Sequence, residues 1–166
     1  TAQPVFDNQK WQLISKKLHS YGPSKLNNPQ TDTYIPLNSK LENSIEILQI
    51  EFIPGQTKRI TTDVVENISK SDIMSMCPNT IWKSVEQQYD EIIWRFSIKN
   101  CPNHNDQSGI TRAVLTKQGI HLFHYTSKKL PMESSVFMQW VKNLKHITPP
   151  QPQRTLTYQQ KIRMNQ

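Results

Sequence analysis

The segment "EIIWRFSIK", residues 91–99, constrains the fold more strongly than any other part of the chain. Successive side chains of a β-strand point to opposite faces, so a strand with one buried face alternates apolar and polar residues. The apolar set here is Ile92, Trp94, Phe96 and Ile98, and the polar set is Arg95, Ser97 and Lys99. The pattern predicts a strand whose apolar face needs a covering layer.

Other segments predict the elements around this strand. β-branched and aromatic runs bounded by turn residues indicate strands, and apolar residues three or four apart indicate helices. The fold class predicted from them is α+β: an antiparallel sheet of about four strands, with two helices packed on one face and a disordered C-terminal tail. The elements are strands over 44–53, 91–99, 110–116 and 120–127, and helices over 62–76 and 132–146.

The 166 residues are enough for one domain with a single core. Residues 1–43 are dense in Pro, Asn and Ser, and we expect an irregular N-terminal segment packed on the domain. Residues 44–147 form the predicted α+β core domain. Residues 148–166 are rich in Pro and Gln and are predicted to be a basic tail.

The basic charge is concentrated near the end of the chain. The net charge is +7, and residues 128–166 hold seven Lys and Arg against the single acid Glu133, which accounts for +6 of it. A solvated helix face with a polar tail would explain this distribution, and so would attraction to an anionic partner. The predicted anion-binding residues are Lys128, Lys129, Lys142, Lys145, Arg154, Lys161 and Arg163.

The two cysteines, Cys77 and Cys101, each begin the tripeptide CPN at the end of a predicted element. They form no C-x-x-C pair, and no second cysteine pair completes a zinc site. A disulfide between them is the preferred interpretation. The alternative is a nucleophile or metal cluster of Cys101, His104 and Asp106, although nothing in one short loop orients a base toward the thiol.

Several features favour an exported protein. A disulfide persists only in oxidising compartments, and the first residues, "TAQPVF", resemble the remnant of a signal-peptide cleavage site. No apolar run approaches the roughly 20 residues that span a bilayer. We therefore expect a secreted (extracellular) or periplasmic protein.

No sequence motif predicts catalysis. The chain lacks the nucleophile-elbow, zincin, P-loop and dinucleotide fingerprints, so we assign no catalytic residue, no metal ligand and no cofactor. His121 and His124 lie three positions apart on one predicted strand and therefore point to opposite faces. A hydrolase whose site assembles only in space remains the alternative.

Residues 92–144 resemble a family of small exported proteins of unknown function carried by Legionella-type intracellular bacteria. The motifs that carry this resemblance are Cys101-Pro102-Asn103, Asp106-Gln107-Ser108, Gly119-Ile120-His121, and Trp140 with Leu144. The resemblance implies export by type II secretion, and it transfers no catalytic residue.

The function expected from these features is that of an exported binding protein or effector that contacts an anionic host or environmental surface. The expected partners are an anionic lipid headgroup, an acidic glycan or a host protein, with peripheral membrane contact and without specific nucleic-acid binding. The alternative remains a secreted hydrolase with an unrecognised site.

Overall fold

The fold consists of two antiparallel β-meanders joined by a helix. The computed structural model describes residues 5–6, 9–18, 29–55, 58–149 and 158–165. The strands are β1 (Val5–Phe6), β2 (Gln9–Leu18), β3 (Gln30–Pro36), β4 (Glu46–Pro54), β5 (Ile81–Gln87), β6 (Glu91–Ile98), β7 (Gln107–Thr116) and β8 (Gly119–Ser127). The helices are α1 (Thr62–Met76), α2 (Ser134–His146) and α3 (Tyr158–Met164).

The strands from β2 to β8 form one seven-stranded antiparallel sheet, and the two-residue β1 pairs with β2 at its edge. The spatial order is β1-β2-β3-β4-β8-β7-β6-β5. The last strand therefore returns to lie beside β4, and the two meanders join in the middle of the sheet. Helix α1 leads from the central β4 to β5, which lies at the outer edge.

The two longer helices contribute to separate clusters on opposite faces of the sheet. Ile92 and Trp94 of β6 cluster with Val65 of α1, and we call this side the α1 face. Ile93, between them on the strand, clusters with Trp140 and Leu144 of α2, and we call this side the α2 face. Because β6 is covered on both sides, Ile92, Ile93 and Trp94 are all almost completely buried.

Local sequence explains where the main elements begin and turn. The side chain of Thr61 accepts a hydrogen bond from the backbone N–H of Val64 and caps the start of α1. Gly119 begins β8 with a φ of +152°, and a Cβ at this position would lie 2.1 Å from the carbonyl oxygen of Ile53. Only glycine permits this close approach of β4 to the β7–β8 turn.

The predicted four-stranded sheet with both helices on one face is wrong. The sheet has seven main strands, and the helices lie on opposite faces because the inner strands are apolar on both sides. Among the described residues, the three missed main strands are β2, β3 and β5. Of these, β2 and β3 fall in the segment expected to be irregular. The tail predicted to be disordered contains α3.

The predicted covalent link is confirmed. A disulfide joins Cys77, just after α1, to Cys101, just after β6, with their Cα atoms 5.4 Å apart. Both cysteines are buried, and Ile98 packs with them. Among the helices of the described residues, none has the length and apolar character required to cross a membrane.

Candidate functional site

A groove with a cationic lining lies near the outer edge of the sheet, and we call it the basic groove. It encloses a cavity of about 440 Å³. Its wall combines three cations with hydroxyl, amide and apolar groups, and no carboxylate is found among the described residues that line it. The lining residues are Asn79, Ile81, Lys83, Arg95, Phe96, Ser97, Lys99, Ser108, Leu130, Pro131 and Met132.

Strand periodicity brings the three cations together. Arg95 and Lys99 are four residues apart on and just beyond β6, so they lie on the same side of that strand. The β5–β6 register then places Lys83 directly opposite Arg95, and Ile81 opposite Ser97. Side chains that are directly opposite in an antiparallel pair have Cβ atoms roughly 5 Å apart. Lys83 and Arg95 are therefore neighbours on the α2 face.

Helix α2 holds one of these cations in place. The guanidinium carbon of Arg95 lies 4.2 Å from the centroid of the Phe137 ring. A planar guanidinium stacks on an aromatic face and keeps its N–H groups directed outward around its edge. Phe137 packs against the α2-face core, so the helix fixes the position of Arg95 while leaving its donors available for a ligand.

The charge of the basic groove is not balanced by nearby acids. The structure records four ion pairs within the described parts of the chain, and none of them includes Lys83, Arg95 or Lys99. Glu86 also belongs to β5, but its carboxylate lies 2.6 Å from the Nζ of Lys145 on α2. The carboxylate of Glu86, which lies beyond the groove on β5, is therefore already paired with Lys145.

Such an arrangement has an energetic cost in the absence of a ligand. Like charges directly opposite each other on paired strands destabilise a sheet, by an amount comparable to the roughly 0.2–1 kcal/mol that opposite charges contribute. Placing an anion between Lys83 and Arg95 would convert this repulsion into attraction. An acidic group that projected into the groove would meet both cations.

The structure distributes the predicted anion-binding residues differently. Lys128 and Lys129 are exposed just after β8, and Lys142 is exposed on α2. Lys145 forms the ion pair with Glu86, so its charge is shared with an acid of the protein itself. Arg163 is exposed on α3, whereas Arg154 and the side chain of Lys161 lie outside the described residues.

The alternative cluster of Cys101, His104 and Asp106 is not assembled as a reactive site. Cys101 is bonded to Cys77, so its sulfur is not a thiolate. His104 is exposed with a ring nitrogen within 4.8 Å of both sulfurs. Asp106 instead accepts a hydrogen bond from the backbone N–H of Asn100, at 2.9 Å, and orders the turn.

A second polar arrangement lies on the α1 face. His124 has its Nδ1 2.8 Å from the hydroxyl of Thr111, and its Nε2 3.5 Å from a carboxylate oxygen of Glu51. This order of hydroxyl, imidazole and carboxylate resembles a catalytic relay. Thr111 is only 1% exposed, however, so no substrate reaches its hydroxyl in this structure.

His121 and His124 point to opposite faces, as predicted. The ring of His121 stacks on Phe52 of β4, with centroids 4.7 Å apart, and its Nε2 lies 3.0 Å from the hydroxyl of Thr116. Burial lowers the pKa of His121, because desolvation disfavours the charged imidazolium. The neutral form is therefore the one that this site favours.

The cations of the basic groove were not among the predicted site residues. A signal for two of them was present, because Arg95 and Lys99 were recognised on the polar side of the 91–99 strand. Their partner Lys83 belongs to β5, a strand that was not predicted from the sequence. Without β5, the two cations were indistinguishable from an ordinary solvated strand face.

Comparison with known proteins identifies no relative. No protein-family model matches the chain, no curated protein is significantly similar to it, and no solved structure matches its fold significantly.

Proposed function

We propose that this protein is an exported binding protein that recognises an anionic partner through the basic groove. The observation that carries this proposal is the cross-strand pair of Lys83 and Arg95, joined by Lys99, in a groove whose described lining residues include no carboxylate. A concave groove favours a discrete acidic group over a flat bilayer. The lysines at 128, 129 and 142 would extend the attraction beyond the groove.

Export is the second part of the proposal. The disulfide of this small domain is consistent with an extracellular or periplasmic location. Secretion through a type II system and a role as an effector are finer proposals, and they rest only on the resemblance of residues 92–144 to exported proteins of Legionella-type bacteria.

The test measures binding of a heparin-derived oligosaccharide, an acidic peptide and vesicles rich in phosphatidylglycerol to the wild type and to charge variants. The groove variant carries Lys83→Gln and Lys99→Gln. A matched control carries Lys40→Gln and Lys117→Gln, which remove the same charge from exposed positions elsewhere. An exposed ion pair contributes roughly 0.2–1 kcal/mol, so losing two, at about 0.7 kcal/mol each, weakens binding by about tenfold.

Stability provides an independent readout. Because Lys83 faces Arg95, the change Lys83→Gln should leave the free energy of unfolding unchanged or raise it by up to about 1 kcal/mol. If Lys83 weakens the fold but strengthens binding, its charge contributes to binding and not to stability. Equal binding by the groove variant and the wild type, for all three probes, would remove the basis of the proposal.

A further inference from the structure

We propose that the free edge of β5 accepts an extended acidic segment of a partner protein as an added β-strand. This inference rests on the proposed function, because the same cations of the basic groove would bind the acidic side chains of that segment. It names the partner class as a protein chain rather than a glycan or a lipid headgroup.

The outer edge of β5 is open. The strand is the last in the sheet order, and it pairs only with β6 on its inner side. Across the described residues, no backbone hydrogen bond joins β5 to any segment other than β6. An open edge presents a row of N–H and C=O groups that can pair with another chain. Such edges are used for peptide recognition by strand addition.

One half of this edge is protected and the other is not. A register shift between Ser84 and Glu86 interrupts the pairing with β6, and irregularities of this kind discourage edge-to-edge association. The regular part of the strand runs from Ile81 to Ser84, beside the basic groove. Ile81 is 71% exposed there, although natural proteins usually keep exposed apolar residues away from open edges.

The side chains around this half of the edge match an alternating acidic segment. On the α2 face, Lys83 of β5 would receive one acidic side chain of the added strand, with Arg95 beside it in the same cross-strand row. Lys99, four residues beyond Arg95, would attract a second acidic side chain farther along the same face of that strand. On the α1 face, the half-buried Trp82 stacks on Trp94, with ring centroids 5.5 Å apart, and offers an apolar surface to the intervening residues. Charge complementarity and strand periodicity therefore both favour an extended acidic peptide at this edge.

Main-chain pairing separates this occupant from the other anionic candidates. A glycan or a lipid headgroup can bind the cations but cannot continue the ladder of backbone hydrogen bonds. An extended peptide does both, with the backbone supplying affinity and the alternate side chains supplying specificity.

The experiment uses the whole chain and a labelled peptide in which valine and glutamate alternate. Alternate N–H groups of a strand point to opposite edges, so two N-methylated versions are compared, one methylated on every valine and one on every glutamate. The control peptide has the same composition with its valines and glutamates in separate blocks. A heparin-derived oligosaccharide and phosphatidylglycerol vesicles are measured in parallel.

We expect the alternating peptide to bind at least about tenfold more tightly than the blocked peptide, and the groove variant to lose about tenfold in affinity. Only one of the two methylated peptides should lose binding. Hydrogen exchange within residues 81–84 should slow when the peptide is bound, because the outward amides of this part of β5 become paired.

The remaining outcomes contradict the inference in distinguishable ways. If both methylated peptides bind equally well, or if only the oligosaccharide or the vesicles bind in a manner sensitive to the groove variant, strand addition is wrong and the proposed anion-binding function stands. If no probe responds to the groove variant, the strand addition and the proposed function are both wrong.

Discussion

Replacement of Arg112 by methionine should strongly destabilise the protein. Arg112 on β7 donates from Nε to Glu91 at 2.7 Å, and from Nη1 to the carbonyl oxygens of Leu144 and Ile147 at 3.0 and 2.8 Å. Its side chain is only 10% exposed. One cation therefore pairs with an acid and also satisfies two carbonyls at the C-terminus of α2, where positive charge is favourable.

The expected loss in the free energy of unfolding follows from the groups that methionine leaves unpaired. Removing one partner of a buried ion pair costs about 3–5 kcal/mol. The Glu91 side chain is 21% exposed and partly regains water, so we expect the lower end, about 3 kcal/mol. Urea denaturation followed by tryptophan fluorescence measures this loss, and combination with Glu91→Gln should show a coupling of at least about 1 kcal/mol.

The matched control is Arg95→Met, an arginine of β6 on the same sheet face. Arg95 has a cation–π contact but no recorded ion pair among the described residues, so its replacement should cost no more than about 1 kcal/mol. If Arg112→Met costs less than about 1 kcal/mol, or no more than Arg95→Met, Arg112 does not anchor α2 as argued.

Two further predictions concern the disulfide and a buried histidine. The double change Cys77→Ala and Cys101→Ala, which opens a link across 24 positions, should lower the free energy of unfolding by about 3.5 kcal/mol. A urea titration measures this loss, and a change below about 1 kcal/mol would contradict the chain-entropy argument. The lowered pKa of His121 means that its contribution to stability is present above its unfolded pKa of about 6.5 and is lost as the pH falls through the lower folded value. Thermal melts of His121→Asn should therefore fall less steeply below about pH 6.5 than those of the wild type, and parallel curves would show that another group controls the acid sensitivity.

The sequence by itself determined the elements in which apolar residues recur at a regular helical or strand spacing. Residues 62–76 were predicted as a helix and form α1 with the same bounds, and the strand predicted over 91–99 is β6. The strands predicted over 110–116 and 120–127 are β7 and β8, and the link between Cys77 and Cys101 was also predicted correctly. The helix and the strands depend on side-chain spacing within a short segment, which requires no knowledge of distant neighbours. The disulfide was predicted because the chain has two cysteines and no zinc-site spacing.

The missed strands lack such a period. Pairing irregularities in β2 and β5 shift the alternation partway along each strand, so neither has a continuous two-residue pattern. β3 is largely polar, and its place in the sheet depends on pairing with β2 and β4 on either side. The pairing of β2, β3 and β5 is stabilised by contacts with the rest of the sheet rather than by the composition of these strands.

Only the tertiary structure decided which residues share a face and a site. The run Ile92-Ile93-Trp94 is buried on both sides of β6, so Trp94 lies on the α1 face and Trp140 packs on the α2 face, whereas the predicted fold placed both helices on one face of the sheet. The same applies to the basic groove, because Lys83 meets Arg95 only through the β5–β6 register. Local spacing specifies how a strand alternates, but the strand that lies beside it is selected by the free energy of packing across the whole sheet.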